Sequence, residues 1–232
     1  MYTRYANEID TGMARFAELA KTDKDVEQVA KELSASGYSV SSLLIQPIQR
    51  IPRYVLLLES LVKCLPAYLD EARQVSAALE KIHGIARDIN ENKRKFENAS
   101  AMRLWDGRLN LATEYPNETR DYVGEMSQVL VSENKNAFVW TMVIFTDIAV
   151  LARNTGTEKK EKWKVKEVYT LIQWKVLEIA DEKLQFLQLA TTKTVELSCS
   201  KVKDTEYLAD KLREAIRVAK ANRMRKSLAA NN

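Results

Sequence analysis

The sequence predicts an α+β chain of two domains. An all-α helical bundle is expected over residues 1–98 and an antiparallel β-sandwich or barrel over 99–226, closed by a C-terminal helix and followed by a tail at 227–232. Three observations carry this. Apolar residues recur at helical spacing up to about Asn98; short β-branched and aromatic runs take over after Ala99; one last helical stripe ends the chain. At 232 residues with 46% apolar side chains, the chain can build two modest cores. Strands followed by one helix suggest a small sheet structure plugged at one end.

Tyr2, Tyr5, Ile9, Met13, Phe16 and Leu19 form the first helical stripe, and the cluster Ser34, Ser36, Gly37 and Ser39 breaks that block. Ile48, Ile51, Val55, Leu58, Val62 and Leu65 form the next, which Pro66 ends. Val75, Leu79, Ile82, Ala86 and Ile89 mark a further helix expected to stop near Asn98. Strands are expected at 108–112, 127–131, 138–145, 148–152, 165–171, 174–179, 184–190 and 194–199. Turn chemistry separates several of them, at Tyr115-Pro116-Asn117, Asn134-Lys135-Asn136, Thr146-Asp147, Asn154-Thr155-Gly156 and Asp181-Glu182-Lys183. The closing helix is expected from about Asp204 to Lys226, with Leu208, Leu212, Ala215, Ile216 and Ala219 on one face.

Composition narrows the chemistry. Apolar runs are too short for a transmembrane helix, and charged residues throughout the first twenty positions do not read as a secretory signal. Cys64 and Cys199 lie far apart without metal-ligand spacing, which suits a reducing, cytosolic setting. His83 is the single histidine and belongs to a helical pattern, so no triad, metal or cofactor site is expected. Residues 1–98 hold 14 basic and 14 acidic residues, so the net charge of +4 comes entirely from the rest of the chain. From Lys201 onward there are nine basic residues against four acidic. That basic terminal helix suits a solvated surface, a membrane or, without any aromatic interleaving, nucleic acid; the last is not expected as a partner.

The segment SLLIQPIQRIPRYVLLLESLV, residues 42–62, is the strongest helical pattern, yet it contains Pro47 and Pro52. Pro47 is expected near the first turn, where its missing N–H costs nothing. Pro52 removes the bond to the Ile48 carbonyl, at a cost of about 3 kcal/mol unless a kink absorbs it, so a bend is expected just before Arg53. Opposite the core stripe lie Gln49, Arg53, Leu56 and Ser60, with Leu57 beside them. Leucine beside a guanidinium suits a partner that is apolar in places and acidic in others; contact with another helix of the same bundle is the alternative.

LLIQPIQRIPRYVLLLESLVK, Leu43 to Lys63, closely resembles the third signature segment of Dbl-homology domains, the exchange-factor domains for Rho-family GTPases. YTRYANE (Tyr2 to Glu8) looks like the end of the family's second segment, and ARDINENKRKFEN (Ala86 to Asn98) like the end of its last long helix. DGRLNL, MVIFTDIAVLAR and VELSCSKVKDTEYLADKLREAI are similar to the first strand, central hairpin and closing helix of the pleckstrin-homology domain that usually follows. The resemblance implies a guanine-nucleotide exchange factor that binds the switch regions of a Rho-family GTPase and promotes GDP release, in small-GTPase signalling and cytoskeleton regulation. That is catalysis without covalent chemistry. Carried over by motif, Gln49, Arg53, Leu56 and Ser60 would face the GTPase together with Asn90. Arg50 points away and is expected to bridge helices within the domain.

The chain begins inside the family's second segment. It would lack the N-terminal part of the exchange domain, be inactive alone and self-associate through its uncovered stripes. A non-catalytic protein-interaction scaffold is the alternative function. The loop ATEYPNETRDYVGE, read as following the first strand, is acidic, so phosphoinositide binding at the family's usual site is not expected. Lys159, Lys160, Lys162 and Lys164, with Lys166, suit either a solvated loop or weak contact with an anionic membrane; the latter implies a cytoplasmic protein recruited to the inner face of the plasma membrane. In the closing helix Tyr207-Leu208 stands where the family commonly has tryptophan.

Overall fold

A computed structural model describes residues 2–117, 119–133, 136–157, 160–180 and 183–230, without side chains at 132–138, 178–180 and 230. It divides into two compact units, Met1–Glu97 and Asn98–Asn232. The first is helical and the second is an antiparallel sheet with a C-terminal helix, as the sequence predicts.

In the helical unit, α1 (Tyr2–Thr22) and α2 (Lys24–Ala35) are separated at Asp23, whose carboxylate accepts from the Asp25 and Val26 amides at 2.9 and 3.3 Å. That N-cap supplies the helix start that the apolar spacing did not signal. Gly37, with φ of +81°, turns the chain out of α2, and the Tyr38 amide reaches back to the Leu33 carbonyl at 3.1 Å. Helix α3 (Val40–Cys64) then starts at a reciprocal cap: the Ser42 amide donates to Ser39 Oγ at 3.0 Å and the Ser39 amide to Ser42 Oγ at 3.1 Å. Leu65, extended ahead of Pro66, ends it.

Helix α4 (Asp70–Leu109) is 40 residues long and continues well past the expected stop at Asn98. The predicted strand at 108–112 is therefore a correction. Asn110 adopts φ of +54° and links α4 to the short α5 (Leu111–Glu114), with the Ala112 amide held by Asp106 Oδ1 at 2.6 Å. Leu109 and Leu111 mimic strand alternation, but a helix–left-handed–helix corner buries both.

Seven strands follow: β1 (Tyr122–Glu133), β2 (Asn136–Phe145), β3 (Ile148–Asn154), β4 (Trp163–Thr170), β5 (Trp174–Ala180), β6 (Lys183–Gln188) and β7 (Thr194–Ser198). Their order in the sheet is β4-β3-β2-β1-β7-β6-β5, every pairing antiparallel. Strand β1 pairs with β2 along its length but with β7 only through Leu130 and Val131. Its register shifts between Met126 and Val129, where Gln128 takes φ of +63°; such a bulge bends a strand between two neighbours.

One core lies between the sheet and α6 (Val202–Ala230): Trp174, Phe186, Leu184 and Leu197 meet Leu208, Leu212, Ala215 and Ile216. Tyr169, Trp174 and Phe186 pack ring to ring with centroids 4.5–5.4 Å apart. Of the Tyr207-Leu208 pair, Leu208 is buried and Tyr207 exposed. A second core on the other face sets Val143, Phe145, Ile148 and Val150 against Trp105, Leu109 and Leu111. All four tryptophans of the chain, Trp105, Trp140, Trp163 and Trp174, belong to this unit. Helix α6 runs to Ala230, through most of the segment expected as a tail.

The segment 112–121 precedes β1 rather than following it. Its acidity therefore has no bearing on the β1–β2 connection, of which Asn134 and Lys135 lie outside the described residues.

Candidate functional site

Helix α3 positions the site. Its stripe Ile48, Ile51, Val55, Leu58, Val62 and Leu65 is half-buried throughout, while Gln49, Arg53, Leu56 and Ser60 are exposed. At about 100° per residue these four stay within one narrow face. Leu56 and Leu57 are 62% and 63% exposed, so among the described residues neither serves as the helix-to-helix contact considered above. Ser60 Oγ donates back to the Leu56 carbonyl at 2.9 Å, which occupies its proton within the helix. Arg50 does not bridge helices as expected. It lies over the Tyr54 ring of its own helix, 4.7 Å from the centroid, because a four-residue spacing brings the two together on the surface.

Both prolines lie inside α3; Pro47 is not in the first turn, because the Ser39/Ser42 cap starts the helix seven residues earlier. Tyrosines of α1 meet the carbonyls near them. The Tyr2 hydroxyl is 2.6 Å from the Pro47 carbonyl and 3.1 Å from the Ile48 carbonyl, the acceptor that Pro52 cannot satisfy, and Tyr5 donates to the Leu44 carbonyl at 2.6 Å. The bond to Ile48 contributes about 1 kcal/mol net, which offsets part of the Pro52 cost of about 3 kcal/mol. Burial raises the Tyr2 pKa, keeping the hydroxyl a donor. Sequence reading placed these tyrosines in an apolar stripe. The available signal was a polar tip at stripe positions and, on the partner helix, the Ile48 carbonyl that Pro52 leaves without an amide.

Asn90, on α4, is exposed. Glu59 of α3 approaches His83 of α4 at 3.7 Å, and the short connection between the helices makes them antiparallel neighbours. Seven residues back along α3 and seven forward along α4, each about 10 Å of rise, bring Pro52 and Asn90 to one axial level. Lys93, one turn beyond, is tied to Asp10 of α1 at 3.2 Å.

In the second unit, Lys160, Lys162 and Lys164 are exposed and Lys159 lies outside the described residues. Their loop is pinned. Arg108 donates twice to Glu161, at 2.7 and 2.9 Å, Trp163 donates to the same carboxylate at 3.0 Å, and Thr155 donates its amide and its hydroxyl to the Lys162 carbonyl at 2.7 and 2.9 Å. Hydrogen bonds from Trp163, then Arg108, hold the Glu161 carboxyl below its ordinary pKa. At Gly156 any Cβ would overlap the Lys160 carbonyl, so the turn requires glycine. Lys166 sits instead over the Trp140 ring, 5.1 Å from its centroid. Among the described residues no His, Cys, Asp and Glu cluster could hold a metal, and no helix is long and apolar enough to cross a membrane.

The family model of the RhoGEF domain matches residues 1–90. Residues 1–90 belong to the RhoGEF family. The match takes in the whole α3 face and ends on Asn90. Two relatives from Dictyostelium discoideum are Rac guanine nucleotide exchange factor B, 28% identical over 188 residues, and guanine exchange factor for Rac 30, 31% identical over 164. They cover 78% and 68% of this chain, which in turn spans only 15% and 10% of their lengths. Solved structures share the fold of both units. The N-terminally truncated linker-DH/PH domains of p115-RhoGEF match with a TM-score of 0.76 at 16% identity, over 93% of this chain and 69% of that one. The DH/PH fragment of PDZRHOGEF, crystallised with human RhoA, matches with a TM-score of 0.71 at 17% identity, over 93% and 67%. The RhoGEF unit is thus followed by a sheet and helix arranged as in the PH half of those tandems.

Proposed function

We propose that the RhoGEF unit is the GTPase-contacting part of a guanine-nucleotide exchange factor for Rho-family small GTPases. The observation that carries the reading is the exposed α3 face, polar and apolar by turns, inside the family match and level with Asn90. Arg53 would supply charge-assisted hydrogen bonds, Gln49 and Asn90 amides that pair with backbone, and Leu56 an apolar contact. By reciprocal coupling, a surface that binds the nucleotide-free GTPase more tightly weakens nucleotide binding by the same factor, and GDP leaves without any bond being made or broken in the exchange factor. Relatives named for Rac and a solved tandem crystallised with RhoA support a Rho-family partner. A cytoplasmic location with weak recruitment to the inner face of the plasma membrane through Lys160, Lys162 and Lys164 belongs to the same reading, supported by their exposure on a pinned loop.

The test extends the chain upstream to the length of the solved tandems and follows release of a fluorescent GDP analogue from a panel of Rho-family GTPases. Arg53→Ala is expected to slow release about tenfold or more, since a charge-assisted bond contributes about 1.5–3 kcal/mol, and Asn90→Ala severalfold, a neutral bond contributing about 1 kcal/mol, both with the melting temperature unchanged. Unchanged rates would remove these residues from the site. Binding without release by any GTPase would make the protein a scaffold. For the 232-residue chain alone, light scattering is expected to show self-association through the exposed leucines, and a stable monomer contradicts that.

A further inference from the structure

Ser227 lies in the last turn of α6, within the run RMRKSL from Arg223 to Leu228. Arg223, Arg225 and Lys226 precede it and Leu228 follows. No other serine or threonine of the chain has three basic residues in the four positions before it. Residues 215–230 contain five basic residues and no acidic one, so nothing there repels an acidic enzyme groove, and protein kinases that choose substrates by charge read such a pattern. The residue is exposed. Among the described residues α6 buries none after Ala219, so its last turns open without uncovering a core and offer a kinase extended chain.

The same serine lines a cleft of about 420 Å³ between the last turns of α6, the β2–β3 turn and the end of β4. The floor of the cleft is rigid. Arg120, almost fully buried, donates Nε and Nη2 to the two oxygens of Asp147, both at 2.7 Å, and Asn117 adds a third bond at 2.7 Å. The one carboxylate lining the cleft among the described residues is therefore already supplied with donors. Arg223 and Lys226 line it too and make no ion pair among the described residues. A phosphate on Ser227 meets two opposing influences here. The α6 C-terminus carries about half a negative charge, which repels it. Arg223, four residues back on the same face, and Lys226 bring two full positive charges with no other anion to serve. The cations outweigh the dipole, so the modified turn docks rather than melts.

We propose that Ser227 is a phosphorylation site for a kinase that selects basic substrates, and that the cleft receives the phosphate and fixes the end of α6 against the sheet. Ser227 Oγ attacks the γ-phosphorus of magnesium-bound ATP; the new Oγ–P bond forms as the bond to the β-phosphate oxygen breaks, the hydroxyl proton passes to a kinase carboxylate and ADP leaves. Neither the α3 face nor the lysine loop takes part. The experiment has two arms on the 232-residue chain. In the first, magnesium ATP and the catalytic domain of protein kinase C are expected to place phosphate on Ser227, located by mass, and Arg225→Ala with Lys226→Ala to slow that transfer about tenfold or more. Phosphate elsewhere with Ser227 unmodified overturns the site. In the second, phosphoserine is installed at position 227 by genetic incorporation, without a kinase, and hydrogen exchange at 221–230 is expected to slow about tenfold against the unmodified chain. With Arg223→Ala and Lys226→Ala in both chains the slowing is expected to disappear. Faster exchange in the phosphorylated wild type would mean that the helix dipole prevails, and unchanged exchange that the phosphate stays in solvent; either overturns the receiving cleft. Arg223, Arg225 and Lys226 are exposed, and coincident thermal melts of the unmodified variants show that they fold.

Discussion

The two units solve burial differently. In the RhoGEF unit only Ala6, Ile9 and Ala72 are buried among the described apolar residues, and the stripes of α3 and α4 are half-covered at every position. In the sheet unit two cores close completely, one under α6 and one under the end of α4 and α5. Helical periodicity thus reports which face is sticky, whereas closure depends on what stands opposite. The sheet supplies its own cover; the helices leave half of each stripe to solvent.

The sharpest break of this contrast comes from matched truncations. Phe186→Ala, within an aromatic cluster at 0% exposure, is expected to cost the sheet unit about 3–5 kcal/mol, whereas Val55→Ala on the half-buried α3 stripe is expected to cost about 1 kcal/mol or less. Chemical denaturation of both variants measures this. Equal costs would mean that the α3 stripe is as well packed as the sheet core.

Next in size is the Arg120–Asp147 pair. Arg120→Met leaves a mostly buried carboxylate without its main donor and is expected to cost about 3 kcal/mol, the low end for a broken buried pair because Asp147 keeps 27% exposure. Burial by itself would raise the Asp147 pKa, but the bonds from Arg120 and Asn117 overcome it and hold the carboxyl below its ordinary value. A depressed native pKa gives stability that is complete above the unfolded aspartate value and lost as pH falls through the native one. Calorimetry from neutral pH into acid should therefore find the wild-type advantage over Arg120→Met shrinking below about pH 4.

The smallest effect belongs to the helical unit. Tyr2→Phe removes the proton donated to the Pro47 and Ile48 carbonyls and is expected to cost about 1 kcal/mol. Hydrogen exchange should localise the loss to amides of α3, and loss spread evenly over both units would refute the local account.

What was legible in the sequence was local. The α3 stripe, its opposite face of Gln49, Arg53, Leu56 and Ser60, and seven of the eight expected strand runs follow from spacing and turn residues, because period and turn chemistry are properties of neighbours in the chain. What escaped needed a distant partner or a single unusual dihedral. Leu109 and Leu111 read as a strand because alternation cannot reveal a left-handed Asn110. The Ile48 carbonyl that Pro52 leaves open is met by a hydroxyl 46 positions from it, and no spacing rule predicts that. Even Arg50 went to its nearest ring rather than across the bundle.

The placement of all four indoles in the sheet unit, noted with its cores, makes the chain self-reporting. Intrinsic emission excited at the red edge of absorbance is a property of residues 98–232 alone, so the RhoGEF unit is optically silent in that channel. A single tryptophan placed at the exposed Leu57 would light up only the other unit's face when the native indoles are replaced by phenylalanine, giving each half its own colourless or luminous state for kinetic work.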